Sequence, residues 1–485
     1  MATKRSASRR GPVHDEAGPA ESPGTEPVLD DPAELDERDR TRDPSYRNAY
    51  LILPREQYGE DEPVTFSQAV VDRGPRAQPI ELIPKERLAS NVLQRIGMVD
   101  LEKVGPTDVA RAQQRPPTAR GLFNRHPALG LSTAYFRDEA VFEAAVHELG
   151  DDYEFVPNFA MALPPRVRLD DVPATRGRTA PELREWPEAS GVDRAHAQGV
   201  RGAGVLVGVL DTGIDADHRE FEGQAIPFRY VPLFPNDVPS RDVRGFDTEG
   251  HGTHVCGIIG GRSVGVAPEA SLYVASVIES ETTRSSLLRL SAGLDWLLRQ
   301  FSRPENDQRP AVLNLSLGFL AEPPGDIEAA EFALRVRVMQ RLLRTLVAAN
   351  VLPVVAAGND GPGKIRLPGG FAEVLAVGAV DFEGRIAAFS GSGRYKAGAP
   401  EKPDLAGYGV GVNSSVERDV HGRSIYQRFN GTSMACPYVA AIAALHRCRH
   451  PGLTVEQIRE RMGEKAAALR AGRSRVGEGL ARFAP

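Results

Sequence analysis

The sequence predicts an α/β protein in which a mostly parallel sheet is covered on both faces by helices, preceded by a small N-terminal α+β domain. Runs that are apolar throughout recur at 204–213, 271–278, 311–317, 350–358 and 373–380. A strand lacking polar alternation is buried on both sides, as in parallel sheets. Helical stretches separate these runs, notably SSLLRLSAGLDWLLRQF at 285–301 and a long one around 328–349. Strands alternating with helices in this way build a helix-covered parallel sheet. A third observation is that residues 49–163 carry apolar clusters of their own, set off from the rest by proline-rich chain.

The chain as a whole narrows the class. Its 485 residues, 41% hydrophobic and 26% charged with 48 glycines, suit a loop-rich globular enzyme of one large domain plus a smaller one, or of two to three average ones. A net charge of −6 gives no argument for nucleic acid or an anionic membrane as partner. No apolar run approaches the roughly 20 residues of a membrane helix. Arg9-Arg10 is followed by Gly, Pro, His, Asp and Glu instead of the apolar core of an export signal. The expectation is a cytoplasmic protein, with secretion by another route as the alternative. Three cysteines, Cys256, Cys436 and Cys448, exclude a disulfide framework.

In chain order, residues 1–45 read as a disordered tail of Pro, Gly, Ser and charge. Residues 46–165 form the small domain. KERLASNVLQRIG at 85–97 spaces Leu88, Val92 and Ile96 four apart, a helical period. DEAVFEAAVHELG at 138–150 is an amphipathic helix closed by Gly, and YEFVPNFAMAL reads as extended chain. A linker at 166–191 follows, and the second domain spans 192–485.

Three polar motifs stand where strands should end, the place at which open parallel sheets gather functional groups. Asp211 directly follows a buried run in VLDTGID; His251 opens the small-residue helix of GHGTHVCGIIGG; Ser433 lies in FNGTSMACPYVA. Pro437 is tolerated in a helix only near its start, so that helix begins close to Ser433 and sets its hydroxyl at the positive helix end. Each motif also has a plainer reading. Asp211 could cap a turn, and an aspartic protease needs a second such carboxylate, which is missing. His251, His254 and Cys256 lack a fourth ligand at metal-site spacing. The glycines near 202 precede a strand, whereas a dinucleotide loop follows one.

Together the motifs VLDTGIDADHREF, GHGTHVCGIIGG, VGVAPEASLYVASV, LNLSLG, VVAAGND, AVGAVDFEGRIAAFSGSG, KPDLAGYGV and FNGTSMACPYVAAIAAL resemble the subtilisin-like serine proteases over about residues 195–485. The resemblance implies that family's doubly wound α/β sheet and its Asp, His, Ser chain order. It assigns Ser433 as nucleophile, His251 as base, Asp211 as the group orienting the imidazole, and Asn359 as a side-chain oxyanion donor. It also implies that Ser316, Leu317 and Gly318 pair with an extended substrate, with Ala356, Ala357 and Gly358 forming the opposite pocket wall. Leu317 and the alanines suggest an apolar or medium-sized residue before the cleaved bond.

On the same ground His254 and His218 are structural, and Cys436 is a small buried side chain. Tyr438 stands where the family most often has His, and KPDLAGYGV departs from the usual Ala-Pro-Gly. No organic cofactor is implied. Calcium is common in the family, but no ligands are assignable here. Residues 46–165 resemble a propeptide, which implies an autoinhibited or self-processing precursor with its own N-terminal domain as inhibitor and peptides or proteins as substrates. The rival reading is a catalytically silent peptide-binding scaffold on the same fold.

Overall fold

A computed structural model describes residues 48–55, 84–101, 120–165, 167, 186–232, 241–280, 285–321 and 328–484. The expected tail and most of the expected linker lie outside them.

In the N-terminal domain, strand β1 (Ala49–Pro54), helix α1 (Pro84–Arg95), β2 (Val99–Asp100), β3 (Gly121–His126), β4 (Leu131–Phe136), helix α2 (Glu139–Leu149) and β5 (Tyr153–Pro157) build one mixed sheet of order β2-β3-β4-β1-β5. Both sequence-predicted helices are present. Asp138 caps α2 by accepting the Val141 N–H at 3.1 Å. The alternation of AYLILP divides β1 between two cores. Ile52 faces Val92, Leu93, Val141 and Ala145 of the domain's own helices. Ala49, Leu51 and Leu53 join an apolar cluster that belongs mostly to the second domain. After β5 the chain runs on as the two-residue strand β6 (Ala160–Met161).

The second domain opens with helix α3 (Val192–Ala197), then β7 (Leu206–Asp211), β8 (Phe228–Tyr230), β9 (Arg241–Asp242), helix α4 (His251–Gly260), β10 (Ser271–Ser276), β11 (Ser285–Ser286), helix α5 (Leu287–Phe301), β12 (Ala311–Leu315), helix α6 (Ala329–Ala348), β13 (Val351–Ala356), β14 (Leu375–Val380), β15 (Leu405–Tyr408), β16 (Val412–Val416), β17 (Ile425–Phe429), helix α7 (Thr432–Arg449) and helix α8 (Val455–Lys465). The main sheet has the order β15-β14-β13-β12-β7-β10-β8-β9, every pairing parallel except the antiparallel edge β8–β9. All five apolar runs are strands in it. One core cluster contains α4, α7 and one sheet face, while the other contains α5, α6 and the opposite face. β7 lies between β12 and β10, so strand order reverses there and leaves a crevice beyond the carboxyl ends of β7 and β12.

Candidate active site

Asp211 is the last residue of β7 and is fully buried. His251 is the first residue of α4, and its Nδ1 lies 2.7 Å from Asp211 Oδ1. That oxygen also accepts the Thr212 N–H at 2.8 Å. The α4 end is fixed by groups outside the helix. The Thr212 hydroxyl accepts the Gly252 N–H at 2.8 Å, and Asp247 Oδ2 accepts the Thr253 N–H at 2.7 Å and its hydroxyl at 2.6 Å. The Thr212 hydroxyl itself donates to Asp247 Oδ1 at 2.8 Å. Carboxylate and hydroxyl thus satisfy N–H groups that have no partner within the helix. Gly252 is required by close approach, since a Cβ there would lie 2.2 Å from the Gly213 carbonyl oxygen. Asp247 was not singled out from sequence, although an acidic residue shortly before a helix start is a capping signal.

A second constellation surrounds Ser433, the second residue of α7. Its hydroxyl donates to the Ser316 carbonyl at 3.4 Å, and the Ser316 hydroxyl donates to the Ser433 carbonyl at 3.2 Å. Pro437 explains the second bond. The helix begins at Thr432, close to Ser433 as the sequence implies, and Pro437 in its second turn lacks the N–H that would have reached the Ser433 carbonyl. Ser316 supplies the missing donor. Asn359 is tied to the same helix end, because its Oδ1 accepts the Thr432 N–H at 2.9 Å and the Thr432 hydroxyl at 2.8 Å. Its NH₂ is thereby turned outward, and Nδ2 donates to the Pro165 carbonyl at 2.8 Å. A Cβ on Gly431 (φ +150°) would stand 3.3 Å from that nitrogen.

α7 packs against α4, which brings the Asp211–His251 pair and the Ser433–Asn359 group to one side of the sheet. The segment after β5 runs along the Ser433–Asn359 group. β6 pairs antiparallel with β11, and Ala162 and Gly318 exchange backbone bonds of 3.0 and 2.9 Å. Val167 bridges Asn430, three residues before Ser433. Gly318 therefore pairs with extended chain that belongs to the same molecule. Leu317 is buried in the α5–α6 core, and Ala356 and Ala357 are buried at the end of β13, with Gly358 donating to the Thr432 hydroxyl at 3.2 Å.

The other singled-out residues are structural. His254 stacks on Phe429 with centroids 4.3 Å apart, its Nε2 lies 3.1 Å from the Val412 and Gln427 carbonyls, and burial pulls its pKa down to about 3. His218 Nε2 meets the Ile425 carbonyl at 3.0 Å, its Nδ1 accepts the Glu220 N–H, and burial lowers its pKa. Burial pushes the Cys436 thiol up, and its Sγ lies 3.3 Å from the Val354 carbonyl. Tyr438 donates to the Ala481 carbonyl at 2.8 Å and packs on Trp186, a local packing role. In KPDLAGYGV, Leu405–Tyr408 forms β15, and the buried Lys402 ammonium is held by Asp404 at 2.6 Å and the Val374 carbonyl at 3.0 Å. Among the described residues, no cluster of His, Cys, Asp or Glu is able to hold a metal, and no helix is long and apolar enough to cross a membrane.

The Subtilase family profile, Peptidase S8, matches residues 202–480, more than half of the chain, including Asp211, His251, Asn359 and Ser433. The chain belongs to the subtilase family. It is 51% identical over 383 residues to the subtilisin-like protease PopC of Myxococcus xanthus (strain DK1622), covering 78% of this chain and 80% of that protein. That match is longer than the peptidase region and so extends into residues before 202. Subtilisin Savinase of Lederbergia lenta is 34% identical over 280 residues, 57% of this chain and 88% of its own length. Alkaline elastase YaB of Bacillus sp. (strain YaB) is 31% identical over 346 residues, covering 66% and 77%. This subtilase is therefore a serine endopeptidase acting on peptides or proteins, with a propeptide-like N-terminal region.

Proposed function

We propose that Ser433 is the nucleophile, His251 its base, Asp211 the orienting carboxylate and Asn359 an oxyanion donor, and that the N-terminal domain is a tethered inhibitor. The observation that carries both parts is the 2.8 Å bond from Asn359 Nδ2 to the Pro165 carbonyl, made by a segment that enters through the Ala162–Gly318 ladder. A donor fixed by Thr432 and facing a peptide carbonyl suits a group that stabilises negative charge on that oxygen. Its occupancy by the chain's own backbone suits self-inhibition. By this reading residues 46–165 are the inhibitory domain, 166–191 the tether and 192–485 the peptidase, with any cut between about 165 and 195.

With substrate in place, Ser433 Oγ adds to the carbonyl carbon while its proton passes to His251 Nε2. Asp211, at Nδ1, holds the ring in the tautomer that leaves Nε2 basic and stabilises its cationic form. The oxyanion is met by Asn359 Nδ2 and the Ser433 N–H. The C–N bond then breaks, the departing nitrogen takes the proton from His251, and water releases the acyl group by the reverse sequence. Substrate binds by strand addition to Ser316–Gly318, with Ala356–Gly358 as the facing wall. Nothing in these steps calls for an organic cofactor.

A fluorophosphonate probe tests the assignment. Wild-type protein should label after limited proteolysis within 166–191, whereas Ser433→Ala should not. Equal labelling of both, or full labelling of wild type before release, would contradict respectively the nucleophile and the inhibitor.

A further inference from the structure

The register of the blocked cleft contains an irregularity. Ala162 and Gly318 form a hydrogen-bonded antiparallel pair, exchanging N–H···O bonds in both directions. In such a ladder the next hydrogen-bonded pair lies two residues along each strand, which matches residue 164 with residue 316. The Ser316 carbonyl should therefore accept the N–H of residue 164. That residue is proline, buried and without an N–H. In its place the Ser316 carbonyl accepts the Ser433 hydroxyl at 3.4 Å. The carbonyl facing Asn359 is that of the exposed Pro165, one residue further on.

We propose that Pro164 makes the N-terminal segment a stalled occupant of its own active site, present in the cleft but cut slowly. This rests on the triad and inhibitor reading above and specifies how the inhibitor resists the enzyme it covers. A hydroxyl has one proton. Donation to the Ser316 carbonyl competes with donation to His251, and proton transfer to His251 is what makes the oxygen nucleophilic. A residue with an N–H at position 164 would fill the Ser316 carbonyl, release the serine hydroxyl and seat the strand up to the scissile bond. Attack would then form the Ser433 ester and break the C–N bond, with the proton passing through His251 to the departing nitrogen. Pro164 is thus a positioning residue that acts through Ser316. Substrates offering an N–H at this place meet no such obstacle, so the same cleft is slow on its own chain and fast on others.

Intact-mass measurements over time on the full-length chain test this, using wild type, Pro164→Ala, Pro165→Ala and Pro164→Ala/Ser433→Ala. Pro164→Ala should be cut after residue 164 or 165 faster than wild type by about tenfold or more, the rate equivalent of one hydrogen bond gained on the way to the transition state. The double variant should stay whole. Pro165→Ala, whose restored N–H is out of register with Ser316, should gain clearly less. Equal acceleration by the two single variants overturns the register argument. A Pro164→Ala chain cut no faster than wild type, yet labelled at Ser433 by the probe after tryptic release, overturns the stall and leaves the triad standing. A chain neither cut nor labelled overturns both. Thermal unfolding of the double variant reports folding, and Pro164→Val, which restores the same N–H, replaces the alanine variant should that one fail to fold.

Discussion

The two sheets of this subtilase solve the same burial problem in opposite ways. The main sheet is covered on both faces by elements of its own domain, α4 and α7 on one side and α5 and α6 on the other. The N-terminal sheet covers one face with α1 and α2, and sends Ala49, Leu51, Leu53, Leu131 and Val156 into the core around α5 and α6. Its second face is completed by the enzyme. Polar contacts follow the same seam: the Ala128 N–H donates to Asp295 at 2.8 Å, the Leu288 N–H to Asn158 at 3.2 Å, and Arg337 meets Glu154 at 3.2 Å. A small sheet with half of its apolar surface satisfied by a neighbour is stable mainly while docked. With the N-terminal domain as the inhibitor proposed above, docking and inhibition are one equilibrium.

The largest expected effect confines itself to the peptidase side. Asn359→Ala should lower kcat on a released enzyme by about 100- to 1,000-fold, a magnitude taken from subtilisin itself, with the melting temperature nearly unchanged. A stability loss in place of a rate loss would make Asn359 a brace for Thr432 and nothing more. Next come paired truncations of two fully buried leucines. Leu51→Ala and Leu313→Ala should each cost about 2–5 kcal/mol. The signs on activity should differ: loosening Leu51 should raise hydrolysis of an added peptide by undocking the inhibitor, and Leu313→Ala should lower it. If both lower activity, the N-terminal sheet is part of the working enzyme and the contrast fails.

pH separates the domains more gently. Burial holds His126 in the N-terminal sheet, and His254 in the peptidase, at a pKa of about 3, and His446 in the peptidase at about 4. All three are depressed from the ordinary value near 6.5, so the folded state keeps them neutral. Their contribution is complete above pH ~6.5 and is lost as pH falls from there towards 4 and 3, at up to about 1.4 kcal/mol per pH unit for each histidine. Acid unfolding followed by calorimetry should be shallower for His126→Gln, and shallower still for a variant lacking His254 and His446. The smallest effect belongs to the seam's exposed ion pair: Arg337→Ala should change docking by no more than about 1 kcal/mol, read as probe labelling of the undigested protein.

Much of this was legible in the sequence for physical reasons. Strands buried on both faces must be apolar throughout, so five of the main strands stood out. Asp211, His251 and Ser433 each sit where a strand or helix ends, and their motifs are local in sequence. What escaped notice depends on distant partners. LAGY is too short and too small to read as β15, and β17 (IYQRF) is largely exposed and polar. AMALPP reads as extended chain entering a linker; that it pairs with Gly318, some 150 residues away, has no local signature. Pro437 looked tolerable only near the helix start because its remedy, the Ser316 hydroxyl, comes from another strand.

Ser316 also limits how the enzyme could be redesigned. Its backbone is the substrate edge in the mechanism proposed above, while its side chain donates to the buried Ser433 carbonyl that Pro437 leaves without a helical donor. Libraries that diversify the recognition strand to alter selectivity would, at this one position, also unsettle the catalytic helix. Variation at the partly buried Phe319 escapes that coupling, whereas Leu317 is itself buried in the α5–α6 core, so a productive search would randomise Phe319 and hold Ser316 and Leu317 constant.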